Sequence, residues 1–243
     1  MALNFTSTEQ LAQSNGVKVL VYGDSGMGKT VLSATAPAPV LLSAESGVLS
    51  LQRQNLVKLF GENNQHICYN IPTITISTVD ELTEAYEWMS KSAEAVQFQS
   101  VCIDSISEIA EVVLNNAKRT VKDPRQAYGE LIEKMETVIR LFRDLPGKNV
   151  YMSAKMEPSK DELTGIIKYG PSMPGSKLGN KMPYFFDEVF RLAIGQDQQG
   201  QKYRYLQTDG DMQYVAKDRS GMLDMQEFPH LGSVFSKINP SIA

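Results

Sequence analysis

The stretch Gly23-Asp24-Ser25-Gly26-Met27-Gly28-Lys29-Thr30 constrains this chain more than any other. It fills every fixed position of the pattern G-x-x-x-x-G-K-[ST]. Glycines there let the backbone turn so that successive N–H groups converge on phosphate oxygens, and a helix starting at the end of the loop adds its positive terminus. The lysine of such a loop reaches the β- and γ-phosphates of a nucleoside triphosphate, and the hydroxyl that follows it ligates magnesium. Lys29 and Thr30 take those two parts, with ATP and Mg2+ as the expected ligands. A glycine-rich turn with no ligand is the competing explanation, and context argues against it. VKVLVYG (17 to 23) is a short valine-rich run that reads as a buried strand. The residues after Thr30 permit a helix until Pro37 stops it.

A phosphate loop is positioned by the sheet behind it, and further strands are legible. PVLLSAES (39 to 46), SVCID (100 to 104) and NVYMSA (149 to 154) are apolar runs of strand length. Thr78 and Glu81 stand at capping-box spacing and open a helix over 78 to 93. Ile106, Ile109, Ala110, Val113 and Ala117 fall on one helical face. Leu131, Met135, Val138, Phe142 and Leu145 form a second, closed by Pro146 and Gly147. Residues 156 to 175 are rich in glycine and proline and read as a loop; EVFRLAI, KYRYLQT and MQYVAK read as closing antiparallel strands. Alternating strands and helices predict an α/β fold with a mainly parallel sheet and helices on both faces. Residues 1 to 16 read as a polar arm and 17 to 243 as the nucleotide-binding domain.

Magnesium-dependent phosphoryl chemistry calls for a carboxylate at the end of a buried strand beside the loop. Asp104, closing SVCID, is the candidate to hold the ion; capping the next helix is its alternative, compatible role. A second carboxylate must polarise the attacking water. Glu45 ends the second strand run, where the carboxyl edge of a parallel sheet lines the ligand crevice, and Glu108 is the alternative.

In this order, the motifs resemble those of phage P-loop ATPases of the RecA-like class, which include phage single-strand annealing recombinases. The resemblance runs from residue 17 to about 222. Ser43-Ala44-Glu45-Ser46-Gly47 is similar to the catalytic-glutamate element of that class, and Asp104-Ser105 to its magnesium strand. Gly175 to Phe186 and the strand ending Arg191-Leu192 are similar to the helix and strand after its second DNA loop. Ala216-Lys217-Asp218-Arg219-Ser220-Gly221 looks like the basic pair that, in these relatives, reaches into a neighbouring subunit's nucleotide site. The resemblance therefore implies Lys217 and Arg219 as catalytic cations acting in trans within a homo-oligomer, ring or filament. Where RecA ends a strand in Asn-Gln, this chain has Met152-Ser153-Ala154-Lys155, leaving Ser153 or Lys155 to sense the γ-phosphate.

The same resemblance implies single-stranded DNA as a partner, held by two mobile loops. The first corresponds to Lys118, Arg119, Lys122, Arg125 and Tyr128, cations for backbone phosphates with an aromatic to stack a base. The second corresponds to 156 to 175, with Lys160, Lys168 and Tyr169 but also Glu157, Asp161 and Glu162. A solvated surface loop is the plain alternative for both. A single-strand DNA-binding protein is a further expected partner.

Other classes are excluded or weakened. A net charge of −4 argues against coating nucleic acid by bulk electrostatics, so any contact must be a local basic patch. Met27 occupies the position where a serine-hydrolase elbow needs glycine, and His66 and His230 fall in no metal or triad pattern. A GTP-regulated switch needs N-K-x-D, but Asn180-Lys181 is followed by Met182-Pro183. A small-molecule kinase needs a basic lid, for which 118 to 125 is the candidate; an ATP-dependent assembly module that recruits a replication partner stays open. No apolar run approaches the roughly 18 residues of a membrane span. Cys68 and Cys102 make no disulfide framework, and a reducing cytoplasm is the expected compartment.

Overall fold

The computed structural model describes residues 6–10, 15–45, 47–160 and 164–242. Most of the expected N-terminal arm, Ser46, Asp161 and Glu162 lie outside the described residues. Among the described residues eleven strands follow in chain order: β1 Lys18–Tyr22, β2 Pro39–Ser43, β3 Thr73–Thr75, β4 Ser100–Asp104, β5 Asn149–Ala154, β6 Met156–Lys160, β7 Ile167–Pro171, β8 Glu188–Gln196, β9 Lys202–Gln207, β10 Lys217–Asp218 and β11 Gln226–Glu227. The helices are α1 Lys29–Leu32, α2 Arg53–Phe60, α3 Val79–Lys91, α4 Ile106–Thr120, α5 Pro124–Arg143, α6 Ser176–Phe185 and α7 Leu231–Ile238.

The main sheet runs β11-β9-β8-β1-β5-β4-β2-β3, with β10 paired to β8. From β8 to β3 every pairing along that order is parallel, and β9, β10 and β11 join antiparallel. This is the expected architecture. Strands β1, β2, β4 and β5 are buried along their whole length, because side chains of period two meet a covered face on either side. Leu20, Tyr22, Leu42, Ile103 and Met152 pack under α3, α4, α5 and α6. Val19, Val21, Leu41, Cys102 and Tyr151 point the other way, against Leu32 of α1 and Leu231, Val234 and Phe235 of α7. Cys102 is enclosed there, and burial pushes its thiol up to about 12, which leaves it inert.

The capping box at Thr78 and Glu81 is formed in both directions. Both predicted apolar helical faces are buried from end to end.

Four expectations change. Residues 156–160 and 167–171 are not open loop: as β6 and β7 they pair antiparallel. The pair is fixed to the body by Tyr169, whose N–H donates to the carbonyl of Gln213 at 2.6 Å and whose carbonyl accepts from Val215 at 3.0 Å. MQYVAK is strand only at its end, because the Asp211 carboxylate captures the N–H groups of Gln213 and Tyr214 and bends the chain first. The basic stretch 118 to 125 is not a mobile loop either. Lys118 and Arg119 lie in the last turn of α4, and Arg125 lies in the first turn of α5, where Asp123 caps and Pro124 fits the first helical position. Finally, α1 is a single turn continued by a 3-10 turn over Ser33–Thr35, so little helix stands behind the loop to supply a dipole.

Candidate functional site

The phosphate loop leaves the carboxyl end of β1 between β5 and β8, where the sheet presents its strand ends. Two of its glycines adopt left-handed backbone, Gly26 at φ 75° and Gly28 at φ 103°, which a side chain would strain. At Gly23 the demand is space: a Cβ would stand 2.9 Å from the carbonyl oxygen of Leu192. Residues 23 to 32 line one wall of an open cavity of about 990 Å³, large enough for a nucleotide. Glu45, Asp104 and Lys155 lie along the same cavity, as do Asn55, Phe60, Tyr203 and Phe228.

Charge and hydrogen bonding sort these side chains. The Lys29 ammonium donates to the carbonyls of Gly23 (2.7 Å) and Asp24 (2.8 Å), folded back over its own loop. Burial lowers its pKa, an effect opposed by Asp104, Glu45 and Asp24. Tyr151 reaches from β5 to donate to the Lys29 carbonyl at 2.7 Å, fixing the start of α1 from below. Asp104 is 4% exposed and fully engaged. Its Oδ2 accepts from the Thr30 hydroxyl at 2.6 Å, and its Oδ1 accepts from the Ser153 hydroxyl. The neighbouring Ser105 donates to Glu45 Oε1 at 2.5 Å and caps α4 through the N–H of Glu108. Capping therefore falls to Ser105, and Asp104 is left to the cavity.

Glu108 does not line the cavity; its carboxylate is bound to Lys155 at 2.9 Å. Lys155 also meets Glu111 at 2.9 Å, and these two acids outweigh burial to raise its pKa to about 12. Sequence reasoning offered Ser153 as an alternative to Lys155 for sensing the γ-phosphate. It is the penultimate residue of β5 and holds Asp104 from the adjacent strand.

The outlying candidates sit elsewhere. Lys217 donates to the carbonyls of Pro183 (2.6 Å) and Phe186 (2.5 Å) at the end of α6, and Arg219 pairs with Asp187 at 2.8 Å. Neither lines the cavity of its own chain. Lys118, Arg119, Lys122, Arg125 and Tyr128 are all exposed at the α4–α5 turn, with the Lys118 ammonium 5.7 Å from the Tyr128 ring. Lys160 and Lys168 are exposed on β6 and β7. His230 caps α7 by accepting from the Ser233 N–H at 3.1 Å, a structural part. Among the described residues no group of three or more His, Cys, Asp or Glu is placed to hold a metal ion. An ion on Thr30 and Asp104 would complete its shell with water and phosphate oxygens, as magnesium does.

The profile of a protein family described as an AAA domain matches residues 15–220. The chain belongs to the AAA domain family. That span takes in the phosphate loop, Glu45, Asp104 and the Lys217–Arg219 pair, and membership makes this AAA domain an ATP-binding P-loop protein. None of the curated proteins matches its sequence. Among solved structures it is similar to the flagellar accessory protein FlaH from Methanocaldococcus jannaschii, at 12% identity and TM-score 0.43, covering 80% of this chain and 78% of that one. It is also similar to the RadB recombinase, at 18% identity and TM-score 0.46, covering 80% and 89%. No helix among the described residues is long and apolar enough to cross a membrane.

Proposed function

We propose that this AAA domain is a magnesium-dependent ATPase that assembles into a homo-oligomer and acts on single-stranded DNA in recombination, as a phage annealing protein would. One observation carries the catalytic part: the Thr30 hydroxyl and the Asp104 carboxylate meet at 2.6 Å beside the phosphate loop, with Lys29 and Glu45 on the same cavity. Thr30 and Asp104 would hold magnesium, which supplies neutralising charge to the β- and γ-phosphate oxygens. The backbone amides from Gly23 to Thr30 bind the phosphates. Lys29 leaves its two carbonyls for the stronger, charge-assisted contact with phosphate. Glu45, oriented by Ser105, takes a proton from water as that oxygen attacks the γ-phosphorus. The bond to the bridging oxygen breaks and ADP departs with the electron pair.

Hydrolysis also needs charge at the γ-phosphate from outside the loop. Arg219 is the stronger candidate to supply it in trans, because its side chain is 59% exposed and, among the described residues, is paired with one surface acid, Asp187. Lys217 is tied to two carbonyls and positions the segment. For DNA, the α4–α5 turn is favoured: none of its four cations forms an ion pair among the described residues, and Tyr128 adds a stacking face. The kinase alternative is less favoured, since its lid candidate, 118 to 125, lines no part of the cavity.

The test is ATP turnover with and without single-stranded DNA, together with a gel shift at low salt in ATP or a non-hydrolysable analogue. Nucleotide-dependent shift and DNA-stimulated turnover are expected. Binding of ATP without any shift would remove the DNA role and leave the nucleotide site standing.

A further inference from the structure

Two buried side-chain atoms among the described residues have no hydrogen-bond partner, Ser33 Oγ and Glu188 Oε2. The second lies far from the phosphate loop's chemistry and is the more demanding, because an unpaired buried carboxylate oxygen is costly. Glu188 opens β8 and is 1% exposed. Its cross-strand partner in the antiparallel register is another acid, Asp218 of β10.

The two carboxyl groups are bound unequally. Asp218 Oδ1 accepts from the Ser220 hydroxyl (2.5 Å) and the Gly221 N–H (2.9 Å), and Oδ2 accepts from the Leu223 N–H (3.0 Å). The segment from 218 to 223 is thus wound around one carboxylate. Among the described residues Glu188 receives one donor, the Ser220 N–H, at 3.2 Å on Oε1. As a carboxylate, Glu188 would hold Oε2 dry against a second negative charge. As a carboxylic acid it gains an O–H to donate to Asp218, and the orphaned atom is explained.

The surrounding charges do not relieve it. Asp187 adds a third acid next in sequence and is itself paired with Arg219. Lys217, on β10, turns its ammonium onto carbonyls at the end of α6. Lys18, on the adjoining β1, is bound to the carbonyls of Leu145 and Lys148. Burial first, and then the charge of Asp218, push Glu188 up to about 8. Donors from Ser220, Leu223 and Glu188 hold Asp218 below the usual carboxylate range in spite of burial.

We propose that Glu188 and Asp218 share one proton, and that this proton latches segment 217–223 to the sheet and makes the presentation of Lys217 and Arg219 depend on pH. The sign follows from the raised folded value. The proton is bound more tightly with the segment closed than open, so closure is favoured at low pH. That advantage is lost as pH rises from the unfolded carboxyl value toward about 8 and is gone above it. The consequence for hydrolysis rests on the trans reading of Arg219 given above; the latch does not.

Hydrogen exchange of the full chain without nucleotide tests the latch alone, by following a peptide that spans 217–223 from pH 5 to 9. After correction for intrinsic exchange, its protection should fall roughly tenfold per pH unit between about pH 5 and 8 and level off above. Glu188→Gln, whose amide donates to Asp218 at every pH, should flatten that profile. Asp218→Asn, which removes the opposing charge, should move the levelling point to lower pH. Flat protection in the unaltered chain, or an unchanged profile in both variants, overturns the latch. If the pH profile behaves as stated while Arg219→Ala leaves turnover intact, the latch stands and the trans role of Arg219 falls.

Discussion

Replacing Glu45 by glutamine separates binding from chemistry. Glutamine keeps the size of the side chain and an oxygen to accept the Ser105 hydroxyl, now 2.5 Å from Oε1, so the wall of the cavity is preserved. What is lost is the capacity to take a proton. Positioned general bases contribute about 10²–10⁴ in rate, or roughly 3–5 kcal/mol of barrier. Affinity for Mg-ATP should be kept or rise modestly, since no phosphate contact is altered and removing a negative charge beside an anionic ligand relieves repulsion. Single-turnover hydrolysis of radiolabelled ATP, paired with calorimetric titration, reads both numbers. Ser105→Ala should lower turnover only about five- to tenfold, the worth of one orienting hydrogen bond near 1 kcal/mol. Glu108→Gln, which touches Lys155 and not the cavity, should leave turnover within a few-fold. Normal turnover in Glu45→Gln with a collapse in Glu108→Gln would refute the assignment and move the base to α4.

Other outcomes can be stated more briefly. Arg219→Ala should spare ATP binding and cut assembly-dependent turnover by on the order of 10³, measured at protein concentrations above and below assembly; equal rates in both proteins would return Arg219 to its pairing with Asp187. Neutralising Lys118 and Arg119 should weaken single-stranded DNA binding and lower the salt slope by roughly 0.7 per lost phosphate contact, read from filter binding across a salt series. Phe142→Ala, at a side chain with no exposure and a ring edge-on to Tyr86, should cost about 3–5 kcal/mol in urea unfolding. ATP affinity in that variant should be unchanged below its unfolding midpoint.

Much of this molecule was legible because one physical signal sufficed in each place. Apolar runs of five or six residues bounded by turn signals read as strands covered on both faces, and β1, β4 and β5 are such strands. Helical spacing marked the buried faces of α4 and α5, and the loop glycines declared their own backbone. The failures share a cause: side chains that capture backbone groups leave no periodicity. Asp211 bends the chain before β10, and Asp123 with Pro124 starts α5 earlier than its apolar face suggests. The pair β6–β7 is held by backbone bonds from Tyr169 to a distant segment, which no local pattern announces. Helix α7 was missed although Leu231, Val234, Phe235 and Ile238 carry helical spacing after a capping His230. At the site, the loop and the ends of β2 and β4 were readable from residue type. The contact of Ser153 with Asp104 was not, because it crosses between strands 49 positions apart.

The most direct measurement is calorimetric titration of the full chain with ATP in the presence of magnesium, beside Lys29→Ala. Saturable one-site binding is expected for the unaltered chain. In the variant, loss of the ammonium's charge-assisted contacts to the β- and γ-phosphates should weaken affinity at least about 100-fold. A chain that gives no heat and no displacement of a fluorescent ATP analogue, or a Lys29→Ala variant that binds as tightly as the original, would contradict the account.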